Sequence, residues 1–276
     1  MIEKNPTLNR ERLSVIIALV LLSLALIPLL NTPGRSVGGS VLGSKLDIEI
    51  TAPGLVTLLA AALACAGMDT LLRSHPYVRS GRAGPTAIFW ILPALTVIAA
   101  AQWLSRATTG SDWALKLLAS GIALWIVIRA EFGTIDPDAP LAGQWRILLN
   151  VAAYVLAFVL FAAMWETRIR SVITASLMSI TAFLLSVDLT SSTRSVARRA
   201  LLHSAVVAIV LGECAWALNY WRADTVTAGL ALVLVFYALS GIAVQHLFDK
   251  LTRRVVVEFG AVILAAIALL LINAPT

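Results

Sequence analysis

The sequence predicts an all-α polytopic membrane protein, a bundle of about nine transmembrane helices with a small extracytoplasmic β-hairpin or loop after the first helix. Two observations support this prediction. Of the 276 residues, 59% are hydrophobic and only 13% are charged, and the mean hydropathy is +0.90. A soluble domain needs a more polar surface than this composition supplies. In addition, apolar runs of about 20 residues, the length that crosses a hydrocarbon layer of about 30 Å, recur along the chain.

Nine apolar runs are candidates for membrane-spanning helices, and together they form a single transmembrane domain over residues 1–276. The fourth run is short and contains Lys116. The sixth is rich in Ser and Thr, whose hydroxyls can bond back to the preceding helical turn. Pro93 is expected to kink the third helix because it removes one helical hydrogen bond. The predicted spans are 13–30, 53–72, 86–104, 113–128, 145–165, 172–189, 200–220, 226–247 and 255–272.

Positive charge is distributed unevenly between the loops, and this predicts an orientation. With the N-terminus inside and the C-terminus outside, fourteen of the 21 Lys and Arg residues fall on the cytoplasmic side, as the positive-inside rule requires. We expect the protein in a bacterial cytoplasmic membrane, where its inner basic residues contact anionic lipid headgroups. The net charge of +6 therefore indicates topology and no nucleic-acid partner. The residues expected at the headgroups are Arg73, Arg79, Arg82, Arg194, Arg198, Arg199, Lys250, Arg253 and Arg254.

Residues 31–52 form the longest predicted connection and lie on the outer side. The segment KLDIEIT alternates apolar and acidic residues, which is the period of a β-strand. This strand could fold back on the preceding SVGGSVLG as a hairpin, add to a strand of a partner protein, or belong to an irregular loop. The loop is therefore a possible site for a protein partner.

Acidic side chains inside predicted spans are costly in lipid, so each calls for a partner or a function. Asp69 precedes Arg73 by four residues, and Glu258 follows Arg254 by four, so a local ion pair accounts for both acids. Asp188 is predicted at the inner end of the sixth helix, where water or headgroups can reach it. Asp69 and Asp188 remain candidate functional residues.

Glu213 has no cation three or four residues away in either direction and is the acid that local sequence does not explain. Helical geometry places it on one face with Trp216, and Asn219 follows within two turns. Lys116 of the fourth helix is a candidate partner for a buried ion pair. The alternatives are a role in proton or ligand handling and a neutral, hydrogen-bonded carboxyl group.

Common catalytic and cofactor signatures are missing from the sequence. No HExxH, DDxxD or P-loop pattern occurs, and the three histidines, His75, His203 and His246, lack ligand spacing. Cys65 and Cys214 lie in separate apolar runs and are expected to be free thiols. We therefore expect no metal and no cofactor.

These features favour a non-enzymatic scaffold or accessory subunit of a membrane complex, and they leave enzymatic activity open without supporting it. The alternative is a small permease with a polar path near Glu213. Its other expected members are Trp216, Asn219, Ser176, Ser179, Thr181 and Ser186. An enzyme that acts on a lipid-linked substrate is a third hypothesis, supported only by the inner basic cluster, which topology already explains.

Overall fold

The structure is a computed structural model, and its description covers residues 10–30, 35–41, 44–81, 86–167, 171–191, 197–220, 223–248 and 252–272. Among these residues, nine helices are long and apolar enough to cross a membrane. The protein is therefore a multi-helix membrane protein, as the composition predicts. Arg82, Arg194 and Lys250, three of the basic residues expected at lipid headgroups, lie outside the described residues.

Ten α-helices and two strands make up the described chain. The helix α3 is a single turn and does not span. Short 3₁₀ turns follow α1 (Ile27–Leu29) and precede α4 (Thr86–Trp90). The helices are α1 Arg10–Leu26, α2 Ala52–Ser74, α3 Pro76–Arg79, α4 Ile91–Leu104, α5 Gly110–Thr134, α6 Ala142–Glu166, α7 Ser171–Ser191, α8 Ala197–Leu218, α9 Thr225–Leu247 and α10 Arg253–Ile272.

Two helices differ from the sequence prediction. The fourth span was predicted as residues 113–128, but α5 runs from Gly110 to Thr134 and is a full-length span of 25 residues. Pro93 does not kink a helix in its middle, since it lies in the first turn of α4, directly after the 3₁₀ turn. The missing N–H of a proline costs no helical hydrogen bond in a first turn.

Polar caps explain where three of the helices begin. Thr51 accepts a hydrogen bond from the N–H of Gly54 at the start of α2, and Thr109 accepts one from Asp112 at the start of α5. Asp224 accepts the N–H groups of Val226 and Thr227 at the start of α9, both at 3.1 Å. The hydrogen bonds from Thr227 lower the pKa of the Asp224 carboxyl group. Such caps satisfy N–H groups that have no partner within the helix.

The strands β1 (Arg35–Val41) and β2 (Ser44–Ile50) lie between α1 and α2. They pair antiparallel, with Arg35 opposite Ile50 and Val41 opposite Ser44. No third strand joins this sheet within the described part of the chain. Each strand therefore keeps one open edge.

The chain forms two compact units, Met1–Arg146 and Ile147–Thr276, which are described separately. In the first unit, α1 packs against α2 and α5 through glycines. A Cβ atom at Gly67 of α2 would approach Ile16 to 2.5 Å, and one at Gly121 of α5 would approach Leu21 to 2.8 Å. Small residues let helices approach closely in lipid, where packing replaces the hydrophobic effect as the driving force.

The second unit is held together by α6 packed on α9 and by α7 packed on α8. Along α6, the Tyr154 hydroxyl lies 3.2 Å from the Ser240 Oγ of α9, and the Trp165 indole N–H donates to the Ala223 carbonyl. On α8, Gly212 faces Ser179 of α7 so closely that a Cβ would overlap the serine hydroxyl. The last helix, α10, packs on α9, where Phe259 covers Gly241.

Candidate functional site

Glu213 lies on the exposed side of α8, within a stripe of exposed apolar and aromatic side chains. The stripe repeats at alternating spacings of four and three residues, which is the spacing of a seam between two packed helices. We call this surface the Glu213 face. It consists of Leu202, Val206, Ile209, Glu213, Trp216 and Tyr220, all of them exposed.

The Glu213 carboxyl group is poorly placed to reach the membrane surface. Glu213 lies five residues before α8 ends at Leu218, about 8 Å along the helix axis. Helical side chains point toward the N-terminus of their helix, so Glu213 is directed away from this nearer end. We therefore expect its carboxyl group to lie among the apolar side chains of the same face.

The other two candidates near Glu213 differ in their surroundings. Trp216 is 51% exposed and belongs to the same face. Asn219 donates from its side chain to the Ala215 carbonyl, 3.1 Å away on the same helix. Asn219 thus forms a hydrogen bond to the last turn of α8, whereas Trp216 is exposed on the same face as Glu213.

Lys116 has a local partner in the first unit that sequence reasoning missed. Its ammonium group lies 3.0 Å from Asp112 Oδ2 and donates to the Arg106 carbonyl. The i,i+4 spacing of Asp112 and Lys116 was a usable signal, but the predicted helix began after Asp112. The predicted pair of Lys116 and Glu213 joins residues of the two units and stays a prediction.

The remaining acids of the spans are accounted for inside the protein. Asp69 pairs with Arg73 at 2.6 Å and Glu258 with Arg254 at 3.0 Å, as their spacing predicts. Asp188 is only 1% exposed and takes part in interactions within the structure, so the expectation that water or headgroups reach it is wrong. The reason is packing, because the last turns of α7 are buried.

Sequence reasoning also missed Glu131, which is 1% exposed in α5. The prediction ended this helix at Ile128 and left Glu131 in a loop, where an acid needs no explanation. In the structure it lies one turn before the helix ends and, like Asp188, has partners within the protein. Each unit therefore contains a buried carboxyl group near the end of a helix.

The hydroxyls expected to line a permease path lie in different environments. Ser176 is exposed and bonds to its own helix at the Val172 carbonyl. Ser179 faces Gly212 of α8, whereas Thr181 is buried and donates to the Leu177 carbonyl. Ser186 is fully buried. The four hydroxyls of α7 therefore differ in exposure, and Glu213 lies on the exposed face of α8. Glu213 and these hydroxyls do not form one line along the helices.

The three histidines divide between the units. His75 is 3% exposed in the first unit, where its Nδ1 accepts the N–H of Tyr77 and its ring packs edge-on against Phe132 at 4.8 Å. Burial lowers the pKa of His75. In the second unit, His203 and His246 are neighbours, with ring centroids 5.2 Å apart.

Six of the nine basic residues predicted at lipid headgroups are described by the structure, and all six are exposed. They are Arg73, Arg79, Arg198, Arg199, Arg253 and Arg254. Both cysteines, Cys65 and Cys214, are free thiols. Within the described residues, no group of three or more His, Cys, Asp or Glu side chains could hold a metal ion.

Comparison with the curated proteins and with the solved structures gives no match. A family model does match, over residues 32–273, and its description is a protein of unknown function, DUF5656. The match begins just before the β1–β2 hairpin and extends to the end of α10, so it covers all nine spans except α1. The chain therefore belongs to the DUF5656 family.

Proposed function

We propose that this protein is a non-enzymatic accessory subunit of a membrane complex, which receives a transmembrane helix of a partner protein on the Glu213 face. The observation that carries the proposal is the exposed carboxyl group within an otherwise apolar stripe. An acid at such a depth costs a few kcal/mol in lipid, on the order of 2–3 by insertion scales. A partner that supplies a hydrogen-bond donor or a cation removes this cost.

The geometry of the face supports a helix as the occupant. Its six side chains alternate at the four-and-three spacing into which the side chains of a second, nearly parallel helix can pack. A single polar residue in such a seam fixes the register and selects the partner. We infer that the partner helix carries a lysine or arginine at the depth of Glu213, because opposite charge compensates a carboxylate in lipid.

The proposal includes the membrane in which the protein lies and its orientation there. The chain lies in a bacterial cytoplasmic membrane with its N-terminus inside, and its exposed arginines contact anionic headgroups. The β1–β2 hairpin is then extracytoplasmic. Its open strand edges offer a second contact to a partner outside the membrane, since an isolated two-stranded sheet is marginally stable in water.

Photo-cross-linking in the native membrane tests the proposal. A photoreactive residue replaces Ile209 on the Glu213 face, and in a matched control it replaces Leu177, an exposed residue of α7. We expect a discrete adduct from position 209 that disappears when Glu213→Gln is added, and no discrete adduct from position 177. Glu258→Gln is the control for charge, because Glu258 is also exposed but has Arg254 as its partner.

A defined peptide tests the chemistry of the partner. A synthetic leucine–alanine transmembrane helix with one lysine at the depth of Glu213, about five residues from its outer end, should bind the purified protein in nanodiscs more tightly than the same helix with leucine. Glu213→Gln should abolish this preference, and Glu258→Gln should keep it. Equal binding of both peptides to the wild-type protein would refute the charge pairing, and an adduct with the mass of two copies of this chain would replace the partner by a homodimer.

A further inference from the structure

His203 and His246 lie where two helices of the second unit meet, near the start of α8 and the end of α9. Their ring centroids are 5.2 Å apart and the rings are tilted by 46°. His203 is half-buried and His246 is exposed, so the pair lies at the surface of the protein. No part of the proposed docking function uses these two residues.

One nitrogen of His203 is already committed. Its Nδ1 lies 2.7 Å from the Arg199 carbonyl oxygen, one turn earlier on α8. A carbonyl only accepts hydrogen bonds, so Nδ1 carries the proton and donates it. In the neutral ring this leaves a lone pair on Nε2. Metal-binding histidines show the same arrangement, in which a backbone carbonyl or carboxylate holds the second ring nitrogen and fixes the tautomer.

The ring separation matches that of two histidines on one tetrahedral ion. A zinc–nitrogen bond of about 2.0–2.1 Å places the ion about 3.2 Å from each ring centroid. At a tetrahedral angle, two such rings have centroids about 5.2 Å apart, whereas at the 90° angle of an octahedral ion the distance is about 4.5 Å. The observed 5.2 Å equals the tetrahedral value, but it is also an ordinary distance between two packed rings, so the coordination geometry is decided by the spectrum described below.

We propose that His203 and His246 form a binding site for a divalent transition-metal ion of the zinc class, with solvent molecules as the remaining ligands. Imidazole nitrogen selects zinc, cobalt, nickel or copper over magnesium and calcium, which prefer oxygen. The ion would link α8 to α9 at this end of the second unit. The site differs from the cluster of three or more protein ligands that is typical of structural zinc.

Cobalt binding to the purified full-length protein in detergent tests the site, and the affinity tag must contain no histidine. Tetrahedral Co²⁺ absorbs visible light much more strongly than octahedral Co²⁺, so the spectrum reports the coordination geometry. We expect one Co²⁺ per chain with a tetrahedral spectrum, displaced by Zn²⁺ and unaffected by Mg²⁺. His203→Gln and His246→Gln should each weaken binding at least tenfold, and the double variant should lose binding at this site.

Two control variants separate this site from other ligands. His75→Asn keeps a helix-capping side chain in the first unit and should bind Co²⁺ like the wild type. Cys214→Ser removes the thiol of α8 and should also leave binding unchanged. An octahedral spectrum, unchanged binding in His246→Gln, or equal weakening by His75→Asn would overturn the proposal. His246 is exposed, so its replacement keeps the test valid even where His203→Gln fails to fold.

Discussion

Gly212 and Glu213 are adjacent in sequence and occupy opposite environments on α8. Gly212 faces α7, where an added Cβ would overlap the Ser179 hydroxyl, whereas Glu213 is exposed among apolar side chains. The inner face packs on α7 of the same chain, and the outer face contains a carboxyl group that the described contacts of α8 do not explain. The contrast teaches that substitutions on the two faces should have separable effects, one on folding and the other on association.

The largest effect is expected on the inner face. Gly212→Val places methyl groups against Ser179 and toward the Ala175 carbonyl oxygen. This oxygen would lie 3.5 Å from a Cβ atom at position 212. We expect the free energy of unfolding to fall by about 3 kcal/mol, the upper part of the range for an overpacked core. Reversible unfolding in mixed micelles measures it. Ala217→Val, at an exposed position of the same helix, should change stability by less than about 0.5 kcal/mol.

A buried histidine should produce the next largest effect, as a dependence of stability on pH. Burial lowers the pKa of folded His75 below its usual 6.5, while the nearby charge of Asp136 opposes this shift. The unfolded chain therefore binds the proton more readily. The stability contributed by neutral His75 is complete above about pH 6.5 and is lost as the pH falls toward the folded pKa.

His75→Asn isolates this contribution, because asparagine caps α3 without titrating. The loss of thermal stability between pH 7.5 and pH 5.5 should be smaller in the variant than in the wild type. Identical pH profiles for the two proteins would show that His75 does not couple folding to protonation.

A smaller effect is expected from the hydroxyl pair on the inner face of α8. Ser204 and Thr190 are fully buried, and their hydroxyl oxygens lie 3.3 Å apart. Hydrogen bonds between membrane helices contribute about 0.6 kcal/mol on average, so Ser204→Ala should destabilise the protein by about that amount. Ser176→Ala is the matched control, since its hydroxyl is exposed and bonds within its own helix. An equal loss in both variants would contradict an inner-face contribution.

The smallest effect on folding is expected at Glu213 itself. In the isolated chain, Glu213→Gln should change the free energy of unfolding by less than about 0.5 kcal/mol, because no packed contact is removed. A loss above about 2 kcal/mol would show that the carboxyl group stabilises this chain and would remove the distinction between the two faces. The measurement uses the same micelles as for Gly212→Val, so the two values are directly comparable.

The sequence predicted the features that depend on composition and length. All nine spans are present because a run of about 20 apolar residues has few alternatives to a helix in lipid. The pairs of Asp69 with Arg73 and of Glu258 with Arg254 were also predictable, since i,i+4 spacing determines them. Helix ends were less accurate, and this error concealed both Asp112 as the partner of Lys116 and the buried position of Glu131.

Features that depend on packing between helices could not be read from the sequence. Periodicity places Glu213 beside Trp216, but only the structure shows that this face is exposed and that Gly212 takes the inner position. The meeting of His203 and His246 depends on how α8 and α9 are aligned, which no local motif encodes. Asp188 was misjudged for the same reason, because proximity to a helix end does not reveal burial by neighbouring helices.

The glycine contacts of α1 have a consequence for biogenesis. Leu21 packs against Gly121, about 100 positions later in the chain, so α1 completes its packing only after α5 has been synthesised. At a synthesis rate of about 5–20 residues per second, α1 waits in the membrane for roughly 5–20 s with part of its surface facing lipid. We expect α2, whose Gly67 contacts Ile16, to pack against α1 during this interval, so that the pair α1–α2 assembles before α5 joins it.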